Sequence, residues 1–179
     1  MTTPDPPEVS PREVRTARLL VTAQFVLIGL LVVLPGRTDW PVPGWLAVLA
    51  TLGAVTGVVV MVIGGTALGR GLTAVPLPNR HAVLRTGGLY RVVRHPIYTG
   101  LLLTMGSFMV ASGSVWRLVA FAALLGLITG KARWEEGHLA RRFAAYPAYA
   151  ARTPRFVPRV RRRARARRRH RGIRPSADT

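Results

Sequence analysis

Arg85-Thr86-Gly87-Gly88-Leu89-Tyr90-Arg91-Val92-Val93-Arg94-His95-Pro96-Ile97-Tyr98-Thr99-Gly100 stands between two long apolar runs that carry almost no charge. If those runs lie in lipid, this segment meets the membrane at a water boundary, where polar groups are costly and tend to serve function. Gly87-Gly88 permits a tight turn and a close backbone approach to a ligand. Pro96 restricts His95 to extended conformations and suits the first turn of a helix. The spacing therefore predicts a polar loop ending at His95 and a helix running from Pro96 into the membrane. The free N–H groups of that first turn would face the loop and favour an anionic group. The plainer reading is a basic interfacial loop that only anchors helix ends.

Working outward, four apolar runs appear. The first, residues 19–34, has only Thr22 and Gln24 as polar members and is about long enough to span. Gln24 is a candidate to face a neighbouring helix. Ser10-Pro11-Arg12-Glu13 upstream reads as a helix start, with Ser as N-cap, Pro at N1 and an acid in the first turn. Pro35-Gly36 ends the run, and Trp40 and Trp45 suit a membrane interface. The second run, residues 44–69, has no charge and repeats small residues, Gly53-x-x-x-Gly57 among them, which fits close helix packing in lipid. The third run, residues 97–112, is short for a bilayer core of about 30 Å. Ser112-Gly113-Ser114 turns the chain into the fourth, residues 115–129. That helix is expected to continue past the membrane, because residues 131–143 hold no breaker except Gly137.

Composition agrees with a membrane protein. Of 179 residues, 49% are hydrophobic and 18% are charged, below a soluble average of about 25%. Mean hydropathy is +0.26. There is no Cys, which excludes disulfides, Cys-ligated metal and a Cys nucleophile. The first run is too long for the apolar region of a cleavable signal peptide. The basic residues flanking and separating the four runs number 3, 1, 5, 1 and 16 in chain order. Such alternation predicts about four spans, with both termini and the Arg85–Gly100 loop in the cytoplasm. The fold class expected is all-α, an integral membrane helical bundle with a cytoplasmic loop and a C-terminal helix. Residues 1–15 are expected to be a disordered start and residues 159–179 an Arg-rich disordered tail. The tail suits contact with anionic lipid headgroups or a purely topogenic role. No base-reading motif accompanies it, so no nucleic-acid partner is expected.

A second polar cluster follows the fourth run. Glu135-Glu136-x-x-Leu139-x-x-x-Phe143-x-x-Tyr146-x-x-Tyr149 precedes Arg152-Thr153-Pro154-Arg155-x-x-Pro158. Only seven acids exist in the chain, and two stand together here at a helix end. The plainer reading is a carboxylate pairing with nearby Arg.

Both clusters carry a resemblance. Gly87-x-x-Tyr90-x-x-x-Arg94-His95-Pro96-x-Tyr98-x-Gly100, with the Glu135-Glu136 cluster and the earlier Leu68-Gly-x-x-Leu-Thr-x-x-Pro-x-Pro78 segment, resembles the isoprenylcysteine carboxyl methyltransferase family and its phospholipid methyltransferase relatives. The resemblance covers about residues 68–158, within an expected membrane domain of residues 16–158. It departs at a Phe-to-Tyr gap one residue shorter than usual, at Ala144 where Gly is common, and at His81, one residue before the position where a His is frequent.

The resemblance implies an S-adenosylmethionine-dependent membrane enzyme acting on a lipophilic acceptor, an isoprenylcysteine-like carboxylate first. Alternatives are a phospholipid amine, a small lipophilic metabolite, or a non-catalytic membrane protein anchored by its tail. It implies catalytic roles for Arg94, His95 and Glu135. It implies cofactor contacts from Ala82, Val83, Leu84, Arg85, Tyr90, His95, Tyr98, Gly100, Glu135 and Glu136. A carboxylate acceptor needs a cation, for which Lys131, Arg133 and Arg155 are candidates. No metal-ligand spacing is present. Arg94, His95 and Tyr98 are expected to meet Glu135 and Glu136 in one pocket.

Overall fold

The computed structural model describes residues 10–36, 39–71 and 83–159. The Pro-rich start, Ala82 and the Arg-rich tail from residue 160 onward lie outside them. The described residues form five α-helices: α1 (Pro11–Val33), α2 (Gly44–Leu68), α3 (Pro96–Ser112), α4 (Val115–Arg142) and α5 (Tyr146–Arg152). Each boundary has a local cause. Ser10 and Glu13 form a reciprocal capping box at the start of α1, with Pro11 in its first turn. Helix therefore begins inside the segment expected to be a disordered start, and residues 11–15 belong to α1. At the other end of the hairpin, Gly113 takes φ 61° and closes α3 in the left-handed conformation that Gly adopts without strain. The continuation of α4 to Arg142 is the extension expected beyond the fourth apolar run.

Two antiparallel pairs build the bundle. Along α1 and α4, Glu13 meets His138, Gln24 meets Lys131, and the α1 carbonyls of Val32 and Leu34 meet Arg117. Along α2 and α3, a Cβ placed on Gly53 would strike Ser107. On Gly57 it would strike Gly100 and Thr104, and on Gly64 it would press on Pro96 and Ile97. The small residues of α2 thus let α3 approach at backbone contact, as expected of Gly53-x-x-x-Gly57. Leu31, Leu101, Ala120, Leu124 and Ile128 form the buried centre where α1, α3 and α4 converge.

The end of the bundle far from Glu135 is tied by polar contacts. Asp39 accepts from the Val115 N–H at 2.6 Å and so caps α4 across the chain. Arg117 Nε donates at 2.8 Å to the Leu34 carbonyl, one of the acceptors left over at the end of α1. Its guanidinium also lies 4.6 Å from the Phe108 ring centroid.

The outer faces are apolar. Phe25, Val26, Leu52, Val55, Val62, Trp116 and Val119 are all exposed. Helices α1, α2 and α4 are long and apolar enough to cross a membrane. Helix α3 has 17 residues, about 25 Å at 1.5 Å each, and is the short fourth member packed on α2.

Candidate active site

The polar end of the bundle gathers three pieces: the loop before α3, the last turns of α4, and the segment after α5. The loop turns at Gly88, whose φ of 57° requires Gly, and continues as a 3-10 turn over Gly88–Arg91. Tyr90 is buried and anchors this turn. Its hydroxyl donates to the Gly64 carbonyl of α2 at 3.2 Å, and its own carbonyl accepts from the Tyr149 hydroxyl at 2.5 Å. Residues 153–156 then lie along the start of α3. Arg94 N–H donates to the Pro154 carbonyl at 2.8 Å and His95 N–H to the Arg155 carbonyl at 3.2 Å. The Thr99 hydroxyl donates to the Phe156 carbonyl at 3.0 Å. This strap holds both motifs in register.

Between them sits the acid pair. His95, 7% exposed, donates from Nε2 to Glu136 at 3.0 Å and stacks on Tyr98 with ring centroids 5.3 Å apart. Glu136 is almost saturated. Arg155 grips it with a two-pronged fork, at 2.8 Å from Nε and 2.7 Å from an amino group, and Arg94 adds a contact at 3.4 Å. Those bonds raise the Arg155 pKa. Glu135 is different. It accepts from the Tyr98 hydroxyl on Oε2 at 2.9 Å, and His95 Nδ1 is 3.9 Å from that same oxygen. Its other oxygen bonds to none of the described residues.

Two donors beside this pair are also unspent. The Tyr146 hydroxyl and Arg94 Nε are buried without a hydrogen-bond partner among the described residues. Tyr146 is 4% exposed, and burial, followed by the charge of Glu136, pushes its phenol pKa upward. Burial likewise pushes Tyr149 up to about 12. Both phenols therefore stay neutral at physiological pH; Tyr149 donates to Tyr90, and Tyr146 keeps a proton to donate. One open carboxylate oxygen and two unspent donors in the same cluster match the ammonium and carboxylate of an amino-acid ligand.

The expected site residues divide by position. Arg94, His95, Tyr98, Glu135, Glu136 and Arg155 come together, and Tyr90 sits beneath them. Gly100 faces Gly57 and Met61 of α2, so its smallness serves helix contact. Val83, Leu84 and Arg85 lead into the loop, Val83 and Arg85 exposed, with no bond to the acid pair; Ala82 lies outside the described residues. Among the acceptor cations, Lys131 is buried at 3% exposure, Arg133 is exposed, and Arg155 is committed to Glu136. Sequence reasoning did not single out Tyr146 as a site residue, although it stands in the second motif. It also left the strap of residues 153–156 unseen.

Comparison with known proteins bears on this arrangement. No curated protein matches the chain significantly. A family model described as phospholipid methyltransferase matches residues 45–146, which include α2, the Arg85–Gly100 loop, α3, α4 and both acids. That is 102 of 179 residues, more than half the chain. With helices long and apolar enough to cross a membrane, the chain is an integral membrane methyltransferase and belongs to the phospholipid methyltransferase family.

Proposed function

We propose that the protein transfers a methyl group from S-adenosylmethionine to a lipophilic acceptor, an isoprenylcysteine-like carboxylate first, at the His95–Glu135 cluster. The observation that carries this reading is an acid-pair cluster that holds an open Glu135 oxygen together with the unpartnered Tyr146 hydroxyl and Arg94 Nε. When bound, S-adenosylmethionine supplies an electrophilic methyl group on a sulfonium. Glu135 would accept from the ligand's ammonium, and Arg94 and Tyr146 would donate to its carboxylate. Tyr98 orients Glu135, and His95 is fixed between Tyr98 and Glu136. Residues 153–156 and the buried tyrosines keep water from this end of the cluster, which strengthens each charge contact. Positioning and water exclusion are the main demands of an in-line displacement.

For the acceptor, Lys131 is the best placed cation, because it is buried one turn before Glu135 on α4. A phospholipid amine is the second reading, favoured by the family description. We place the site and both termini on the cytoplasmic side from the alternating basic counts, with the Arg-rich tail against anionic headgroups. Calorimetry tests the donor: detergent-solubilised protein should bind S-adenosylhomocysteine at micromolar concentration. No binding at millimolar ligand would favour the non-catalytic anchor. Labelled-methyl transfer on membranes, with prenylcysteine, phospholipid and total lipid as acceptors, then identifies the substrate.

A further inference from the structure

Helix α1 lies outside the residues that match the family, yet it reaches the site through one side chain. Lys131 Nζ donates to Gln24 Oε1 at 2.6 Å, and lies 5.2 Å from the Tyr98 ring centroid. Tyr98 in turn donates to Glu135. An ammonium has three donors, and here one is spent, on a neutral amide. Among the described residues Lys131 makes no ion pair with a carboxylate. A buried charge is costly unless paired; the charge of Glu135 and the Tyr98 ring face favour this ammonium only from beyond ion-pair distance, so it is partly compensated. The amide N–H₂ of Gln24 is left over as a second donor beside it. Both groups sit about 6 Å deeper along α4 than Glu135, at 1.5 Å per residue. The ligand for such a position would be a lipid headgroup whose chain follows the apolar outer surface of the bundle.

We propose that Gln24 and Lys131 form a subsite that holds an oxyanion of the acceptor, a lipid carboxylate or phosphate. Helix α1 thereby contributes specificity to a reaction whose other residues lie on the loop, α3, α4, α5 and the segment after it. Gln24 has two tasks: its Oε1 fixes the ammonium over Tyr98, and its N–H₂ completes the donor pair. This rests on the methyltransferase reading above for the identity of the ligand as acceptor.

The test is direct binding, independent of turnover. Three fluorescent probes are used: a prenylcysteine with a free carboxylate, its uncharged methyl ester, and a lysophospholipid. Wild type should prefer at least one anionic probe over the ester by about tenfold or more, the scale of one charge-assisted contact. Which anion wins identifies the source of the oxyanion. Lys131→Gln and Gln24→Glu should collapse that ratio toward one, the second because its carboxylate neutralises the ammonium. The double variant Gln24→Lys, Lys131→Gln returns a cation to the same bond and should restore the ratio, which a merely structural role would not do. No preference in wild type, or a preference unchanged in both single variants, overturns the proposal. S-adenosylhomocysteine calorimetry on the same samples separates the two readings. Anion preference without cofactor binding keeps the subsite and removes the methyltransferase role; cofactor binding without anion preference does the reverse.

Discussion

The two adjacent acids have different work, and two substitutions separate it. Glu136 is gripped by Arg155, His95 and Arg94, so Glu136→Gln leaves three cationic or donor groups with a neutral partner. It should cost about 1.5–3 kcal/mol of stability, the range for hydrogen bonds to charged groups, and lower the thermal midpoint in detergent. In Glu135→Gln the new amide oxygen still accepts from Tyr98, so the fold should keep its melting point. The charge facing the ligand is gone, and S-adenosylhomocysteine should bind about ten- to a hundredfold more weakly. Equal affinity for wild type and Glu135→Gln would assign that acid a structural role. Tyr146→Phe offers an independent check. Its hydroxyl has no partner among the described residues, and a buried unsatisfied group costs about 1–3 kcal/mol. The variant should melt no lower than wild type, and higher if nothing else shifts, while losing cofactor affinity. A lower melting point with unchanged affinity would refute the donor role. The acids, His95 and Tyr98 were legible in the sequence because chemistry-bearing residues stand out against an apolar background. Which carboxylate is free was not, since it depends on the cations that fold back from residues 94 and 155.

At the scale of elements, the helix ends were legible because Pro and Gly punctuate the chain. Pro96 begins α3, Gly113 ends it, and Pro35-Gly36 follows α1. The partners of each helix were not legible. Helix α2 is apolar on all sides, so no stripe points to α3, and only its small residues hinted at close contact. The α1–α4 pairing rests on isolated polar side chains, Glu13, Gln24 and Arg117, that sequence alone cannot match to partners. The glycine contacts give a sharp test. Gly57→Ala and Gly100→Ala each drive a methyl into the backbone of the facing helix, so the helices must separate. Each should cost about 1–3 kcal/mol, the usual range for overpacking. Gly29→Ala on α1 meets nothing within 4 Å and should be neutral or stabilising, since Ala is the better helix former. Melting curves of the three variants in one detergent decide it; equal midpoints would mean that the α2–α3 contact is loose in the membrane. Gly100 illustrates how motif and role diverge, because a residue inside the loop signature turns out to face the neighbouring helix.

For the molecule as a whole, the bundle separates two polar ends. One holds Asp39, Gly113 and Arg117 at the two short connections, and the other holds the acid pair and the strap. With α1 antiparallel to α4 and α2 antiparallel to α3, residues 39–43 and residues 83–94 must emerge at opposite ends. The basic counts of 3, 1, 5, 1 and 16 predict that these ends lie on different sides of the membrane. Among the described residues, Arg12, Arg15 and Arg18 at the start of α1 and Arg85, Arg91 and Arg94 of the loop stand toward the acid-pair end, and Arg117 stands at the other. Lys and Arg are retained on the cytoplasmic side during insertion, and this supports the proposed cytoplasmic placement of the candidate site. Such a placement also suits a water-soluble donor meeting a membrane-borne acceptor at the cytoplasmic leaflet. The chain has no cysteine, so single cysteines can be introduced on a clean background. Pro41 and Thr86 are exposed at opposite ends and neither makes a side-chain bond. In intact cells, a membrane-impermeant maleimide should label Pro41→Cys and spare Thr86→Cys until the membrane is opened. Labelling of Thr86→Cys in sealed cells would invert the bundle, move the Arg-rich tail outside, and leave a cytoplasmic donor with no route to Glu135.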